Sequence, residues 1–346
     1  MLMVIFGAGA SHDSAPAHPA RGHAVDGLGW RPPLANDLFS NPAHAFSHIV
    51  KEYPKLTHVL PYLRQRPPGK SVEEVLELLQ DEAKDYPERL RELASIQYYL
   101  RDLLFEVTNQ WLAQTDGVTN YAPLIGEILR LNKTKEPVSL VTFNYDLLLD
   151  HALESFGYHP QAPEDQFKAH ETLKLFKPHG SVDWARTVRL PADVRINRRG
   201  LIEQADTIKL TNEFIRAGNP LSADSDPSGR TLFPVIAIPL QNKTEENFAC
   251  PPSHLTHLKE RLPNVTKILI IGWQAKEAHF LELLRAKLTN LTHLMVVGRD
   301  ATDADSTLMY FLQQIGRTPS PLFRYTGRGG FTDFVVSREG EAFLRA

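Results

Sequence analysis

Sulfhydryl chemistry is nearly absent from this chain, whose one cysteine is Cys250. A lone thiol makes no intramolecular disulfide and no zinc site built from several thiolates, and it fits a reducing, cytoplasmic setting. Long apolar runs are also missing. No stretch approaches the ~20 apolar residues of a membrane span, and the run Met1 to Phe6 is too short for a signal-peptide core and lacks a basic leader. A soluble, unprocessed protein is the expectation. Neither charge sign dominates: 38 Lys and Arg stand against 41 Asp and Glu, which gives no general attraction to nucleic acid or an anionic membrane. The basic positions Arg195, Arg198 and Arg199 read as a solvated loop, and direct nucleic-acid binding is not expected. The sequence holds no internal repeat, no low-complexity tract and no Gly-x-x-x-x-Gly-Lys phosphate loop.

What is present is ordinary globular material: 346 residues, 42% hydrophobic and 23% charged, enough for one large domain spanning 1–346. Leu2 to Phe6 is an apolar run closed by Gly7-Ala8-Gly9, which predicts a buried strand entering a tight turn. Residues 12–34 follow with histidines, prolines and glycines and read as a loop long enough to serve as a lid or binding segment. From 35 to 131 the pattern is helical. Ser71 and Glu74 have capping-box spacing ahead of Val75, Leu76 and Leu79, and Leu90, Leu93, Leu100, Leu103, Leu104, Val107 and Trp111 recur as core positions of a long helix.

Beyond residue 137, short apolar runs alternate with helical patterns, the signature of a mostly parallel sheet covered by helices. Strands are expected at Val138 to Phe143, Leu232 to Pro239, Lys267 to Gly272 and His293 to Val297, with helices at 147–156, 254–262, 277–289 and 305–315. The charged, Pro- and Gly-rich stretch 185–230 reads as loop or a small subsidiary element. The fold class is therefore α/β, a Rossmann-like mostly parallel sheet. It carries a helical insertion at 35–131, with 132–300 as the remainder of the core.

Three segments carry chemistry. Gly7-Ala8-Gly9-Ala10-Ser11 follows a strand, where small residues let the backbone approach a phosphate. A dehydrogenase fingerprint would place a third glycine where His12 stands, so hydride transfer is disfavoured. Thr142-Phe143-Asn144-Tyr145-Asp146 lies at the carboxyl end of a strand, where open α/β sheets bind ligands. Asp146 fits a helix cap as well as a ligand contact. The third segment is Lys177-Pro178-His179-Gly180-Ser181, followed by Asp183 and Trp184. His12, His18 and His23 have no spacing that sets a coordination geometry, so no metal is expected.

In this order the three segments resemble the signature segments of the sirtuin-like superfamily. Ile271-Gly272-Trp273 through Phe280 is similar to that family's late nucleotide-facing turn, and Phe233 to Lys243 resembles a strand of its non-deacetylase branch. The four-cysteine zinc ribbon of protein deacetylases is missing. So is their Ser-Gly-Ile-Pro-Asp-Phe-Arg loop, replaced here by Ser14-Ala15-Pro16-Ala17-His18-Pro19, and His279 stands where relatives carry an acidic residue. The helical region 35–131 resembles the insertion of bacterial defence-associated NAD-cleaving members.

The resemblance implies NAD as substrate and a glycohydrolase that releases nicotinamide and ADP-ribose. Asn144 would bind the ribose and order the attacking water, and His179 would act as base. Asp146 would hold the nicotinamide carboxamide, the amides of Ala8, Gly9, Ala10 and Ser11 would cradle the diphosphate with Gly7 among the cofactor-binding residues, and Gly272 and Trp273 would approach the nucleotide. It further implies an antiphage defence effector that depletes NAD and a separately encoded helicase-like ATPase partner of the HerA type; since no sensing domain is visible in the sequence, control by homo-oligomerisation or by such a partner is expected. The competing readings are a non-catalytic module that senses NAD or ADP-ribose, and ADP-ribosyl transfer or deacylation.

Overall fold

The computed structural model describes residues 1–15, 30–39, 46–66, 70–132, 134–190, 196–217, 225, 229–238, 248–316, 323–327 and 329–345. Its centre is a six-stranded parallel sheet of β1 (Leu2–Phe6), β2 (Val138–Thr142), β3 (Leu173–Phe176), β7 (Lys267–Ile271), β8 (His293–Val297) and β9 (Phe323–Gly327), in the order β3-β2-β1-β7-β8-β9. Side chains alternate between faces along each strand. Met3, Ile5, Val141, Ile268, Ile270 and Val296 pack on one side beneath α9 (Pro252–Arg261), α10 (Ala278–Lys287) and α11 (Ala301–Gln314). Val4, Phe6, Leu140, Leu269, Ile271 and Val297 face the other side. That face is covered by α6 (Tyr121–Leu131), α7 (Leu148–Glu154), α12 (Gly330–Ser337) and α13 (Gly340–Arg345). With both faces covered, the strands read as near-continuous apolar runs, which is why β1, β2, β7 and β8 were visible in the sequence.

The chain leaves β1 through α1 (Ala8–His12) and enters the helical region: α2 (Phe46–Lys51), α3 (Pro54–Arg64), α4 (Val72–Glu82) and the 28-residue α5 (Pro87–Gln114). The expected capping box opens α4: the Glu74 amide donates to Ser71 Oγ at 3.2 Å and the Ser71 amide to Glu74 Oε2 at 2.7 Å. These helices share one core, which ends within α5, since Val107 belongs to it whereas Trp111 packs with the parallel sheet. α6 likewise lies on that sheet, so packing divides the segment 35–131 between two cores. Leu90 departs from its expected core place and is exposed on α5.

A second sheet holds β4 (Gly180–Val188), β5 (Leu210–Arg216) and β6 (Leu232–Ile236), antiparallel in the order β5-β4-β6. The strand expected at Leu232 to Pro239 thus ends at Ile236 and pairs here, not in the parallel sheet; Pro239 lies outside the described residues. Val182, Val188, Phe233 and Ile236 join the helical core. α8 (Arg198–Glu203) sits within the stretch read as loop or a small element. Arg198 is not a solvated loop residue. Its guanidinium donates to the Tyr53 hydroxyl at 2.8 Å and pairs with the buried Asp102 at 2.5 Å, tying α8 to the helices. Arg195 lies outside the described residues. Among the described residues, no helix is long and apolar enough to cross a membrane. Cys250 is buried, which pushes its thiol up to about 12 and leaves it poorly reactive.

Candidate functional site

The strand order reverses direction of winding at β1 and β7, and open α/β sheets place their ligand crevice outside the carboxyl ends of strands at such a switch point. A pocket of about 810 Å³ lies there. The chain turns sharply after both strands. Gly272 has φ +59°, and a Cβ on it would stand 2.2 Å from the Ala10 nitrogen; a Cβ on Gly7 would stand 2.6 Å from the Gly272 oxygen. The Gly9 amide donates to Gly272 O at 3.0 Å and the Gly7 amide to Ile271 O at 3.1 Å. Only glycine permits this approach of the two turns.

Of the residues singled out in the sequence, Gly7, Ala8, Gly9, Ser11, Asn144, Asp146, His179, Gly272 and Trp273 all line this pocket. Ala10 stands apart, fully buried in the core of the parallel sheet. Its amide donates to Gly7 O at 2.9 Å, and the Gly9 amide is spent on Gly272. With the Gly7 amide on Ile271, three amides of this segment serve the turns themselves, which reduces the cradle expected from residues 7–11.

Asn144 has a second duty. Its Nδ2 donates to Gly7 O and Ser11 Oγ, both at 2.9 Å, so it staples the loop after β2 to the first glycine turn. Ser11 in turn meets the buried Tyr121 hydroxyl at 2.9 Å. The Asn144 side-chain oxygen accepts no hydrogen bond from the described residues. Asp146, half-buried beside it, accepts from the Leu148 amide at 3.1 Å, as a helix cap would. Burial raises its pKa, against hydrogen bonding from Ser11 and Leu148 and the charge of Lys177.

His179 is buried edge-on to Phe143, with ring centroids 4.8 Å apart, and lies near-parallel to Tyr145 at 6.1 Å. Phe143 stacks on Trp273 at 5.2 Å, and the Trp273 indole donates to Glu277. The next residue, Gly180, has φ +81°, and a Cβ there would lie 2.0 Å from Val235 O. This glycine turn presses the His179 segment against β6.

Of the remaining walls, the loop end at 31–34 falls in a segment expected to bind or cover a ligand, whereas Glu73, Leu104, Gly298, Arg299 and Asp303 escaped the sequence reading. Residues 31–38, which run from the end of the expected lid (12–34) into the start of the region read as helical, form a strap over the pocket, held by His12 Nδ1 to Pro32 O at 2.8 Å and by the Val72 amide to Asn36 Oδ1 at 3.2 Å. His18 and His23 lie outside the described residues. Glu73 of α4 and Leu104 of α5 reach the pocket from the helical region. Gly298, Arg299 and Asp303 close it beyond β8, where the Arg299 amide donates to Asp303 Oδ2 at 3.0 Å. Val297-Gly298 repeats the strand-then-glycine grammar of Phe6-Gly7 and Ile271-Gly272, and that signal could have found it. His279 is outside the lining and pairs with Glu282 at 3.4 Å. No group of three or more His, Cys, Asp or Glu placed to hold a metal occurs among the described residues.

No curated protein matches this chain. Similar solved structures include a Sir2 homologue in complex with NAD, at 13% identity and TM-score 0.41, covering 99% of this chain and 88% of the other. Another is Sir2Tm bound to a propionylated peptide, at 12% identity and TM-score 0.41, covering 100% and 94%. In the sequence itself, residues 138–219, which contain Asn144, Asp146 and His179, match the family of the SIR2-like domain.

Proposed function

We propose that the pocket binds NAD and that the protein cleaves its nicotinamide–ribose bond with water, releasing nicotinamide and ADP-ribose. The observation that carries this reading is the convergence of Asn144, Asp146 and His179 with the paired glycine turns in one pocket at the switch point.

Nicotinamide leaves a cationic pyridinium as a neutral molecule, so the leaving group needs no acid. The site must instead hold an oxocarbenium-like ribosyl carbon and present one water to it. With its Nδ2 committed to Gly7 and Ser11, Asn144 offers its oxygen to a ribose hydroxyl or to the water. His179 takes the proton as that water attacks, a role suited to imidazole near neutral pH. Asp146 accepts from the carboxamide N–H, and the glycine turns leave room for the diphosphate. Gly272 lines the pocket together with Trp273, which stacks on His179's neighbour Phe143.

The test is release of nicotinamide and ADP-ribose from NAD by purified protein beside His179→Ala and Asn144→Ala. Each variant should lose about 10²–10⁴ in rate. The structural duty of Asn144 gives weight to a second reading, a module that binds NAD or ADP-ribose without turnover; binding without nicotinamide release by the wild type would favour it. The same proposal takes the protein as a self-associating defence effector, controlled by a separately encoded HerA-type ATPase. Light scattering, and turnover with and without that ATPase, test those parts.

A further inference from the structure

Behind the wall that carries His179 lies a closed ring of six polar side chains, all buried but Arg216, that nothing in the proposed chemistry uses. Lys177 is fully buried. Its ammonium donates to Asp150 Oδ2 at 2.8 Å, to Ser181 Oγ at 2.8 Å and to the Asp146 carbonyl at 3.0 Å, which exhausts its three donors. Ser181 donates to Asp183 Oδ1 at 2.5 Å. The other Asp183 oxygen pairs with Arg216, Arg216 donates to Gln166, and the Gln166 amide returns to Asp150 Oδ1 at 3.0 Å.

Two cations and two carboxylates balance within the ring, the condition under which charge survives burial. None of its six members lines the pocket. Yet Lys177 and Ser181 flank His179 on either side, and the carbonyl that Lys177 holds belongs to Asp146. A further bond, the Val182 amide to Tyr145 O at 3.0 Å, joins the same two segments. All six residues fall inside 138–219, the stretch that matches the SIR2-like domain.

We infer that the Lys177–Asp150–Gln166–Arg216–Asp183–Ser181 ring is a positioning device that fixes His179 relative to Asn144 and Asp146, and that these six are positioning residues for the reaction. The kinetic half of this inference rests on the glycohydrolase reading. Isolated buried charge is costly, so a ring of this kind is retained where geometry matters and is strongest when every member is satisfied.

The test opens the ring at Arg216, its most exposed member and outside the pocket lining. In Arg216→Met, kcat should fall about 10²-fold, the scale of a misplacement of roughly 1 Å. KM for NAD and affinity for ADP-ribose should hold within about twofold, and Arg216→Lys should recover part of the loss. In free protein, the His179 side-chain NMR resonance, identified by its disappearance in His179→Gln, should shift in Arg216→Met. If Arg216→Met does not fold, the double variant Lys177→Met with Asp150→Leu removes a charge pair together and is read in the same way. A lowered melting temperature with kcat and the His179 resonance unchanged would overturn the inference. If the wild type releases no nicotinamide, the glycohydrolase reading fails by itself, and the His179 resonance alone decides the role of the ring.

Discussion

The two walls of the pocket are held by opposite means. On the side of β1 and β7, backbone meets backbone so closely that no Cβ fits, and the restraint is steric. On the side of His179, side chains with charge are sunk beneath the surface and the restraint is electrostatic. A steric wall tolerates changes of pH and salt but no added atom. A charged wall tolerates changes of shape at its margins but no unbalanced charge.

The largest blow to the first wall is Gly272→Ala, which adds a Cβ 2.2 Å from the Ala10 nitrogen at a φ of +59°. Equilibrium denaturation should show a loss of more than about 4 kcal/mol or failure to fold, and a variant of near-normal stability would break the comparison. Next comes Asp150→Ala, which strands the Lys177 ammonium in the interior. A loss of about 3–5 kcal/mol is expected, partly returned when Lys177→Met is added; a second change that brings no recovery would show that the wall is not governed by charge balance.

Acid sharpens the contrast. His254 lies against Lys177's side of the molecule among Phe167, Phe176 and Trp184. Its Nε2–H donates to Pro163 O at 2.6 Å while Nδ1 is buried without a hydrogen-bond partner among the described residues. Burial pushes its pKa down from 6.5 to about 4, with the neighbouring His257 and Lys177 adding to the effect and the Pro163 bond opposing it. The unfolded chain therefore binds a proton between these values that the folded chain refuses. The stabilisation is complete above pH 6.5 and is lost as pH falls toward 4, amounting to about 3 kcal/mol. Urea midpoints across that window should flatten in His254→Phe; an unchanged slope would assign the acid limb elsewhere. The smallest effect is Ser71→Ala, which removes the α4 cap and should lower stability by about 1 kcal/mol in a thermal melt without weakening either wall.

The steric wall was legible because strand and glycine are neighbours in sequence: Phe6-Gly7 and Ile271-Gly272 announce both turns, and the Ser71–Glu74 box is equally local. The charged wall was not. Lys177 and Ser181 were noticed only as company for His179, while Asp150 sat in an ordinary helix pattern and Arg216 in a stretch read as loop or a small element. Their pairing exists only once β4 and β5 align. β5 is half-exposed and charged, and β3 is four residues long and includes Lys174, so neither gives the apolar run that marked the central strands. The strap at 31–38 straddles the irregular loop 12–34 and the start of the helical pattern, and its place over the pocket comes from bonds to His12 and Val72 that no periodicity encodes.

The position of β1 in the middle of the parallel sheet also governs how the protein is made. Met1 bonds to Thr266 across 265 positions, and β1 pairs with β7 along its whole length. On a ribosome, Leu-Met-Val-Ile-Phe must therefore wait through the synthesis of the helical insertion before its first neighbour, β2, exists, and through the antiparallel sheet and α9 as well before its second. Pairings so distant close slowly, and an unpaired apolar strand is a sticky one. Yield in the cell should depend on chaperone supply during translation more than on the stability of the finished fold.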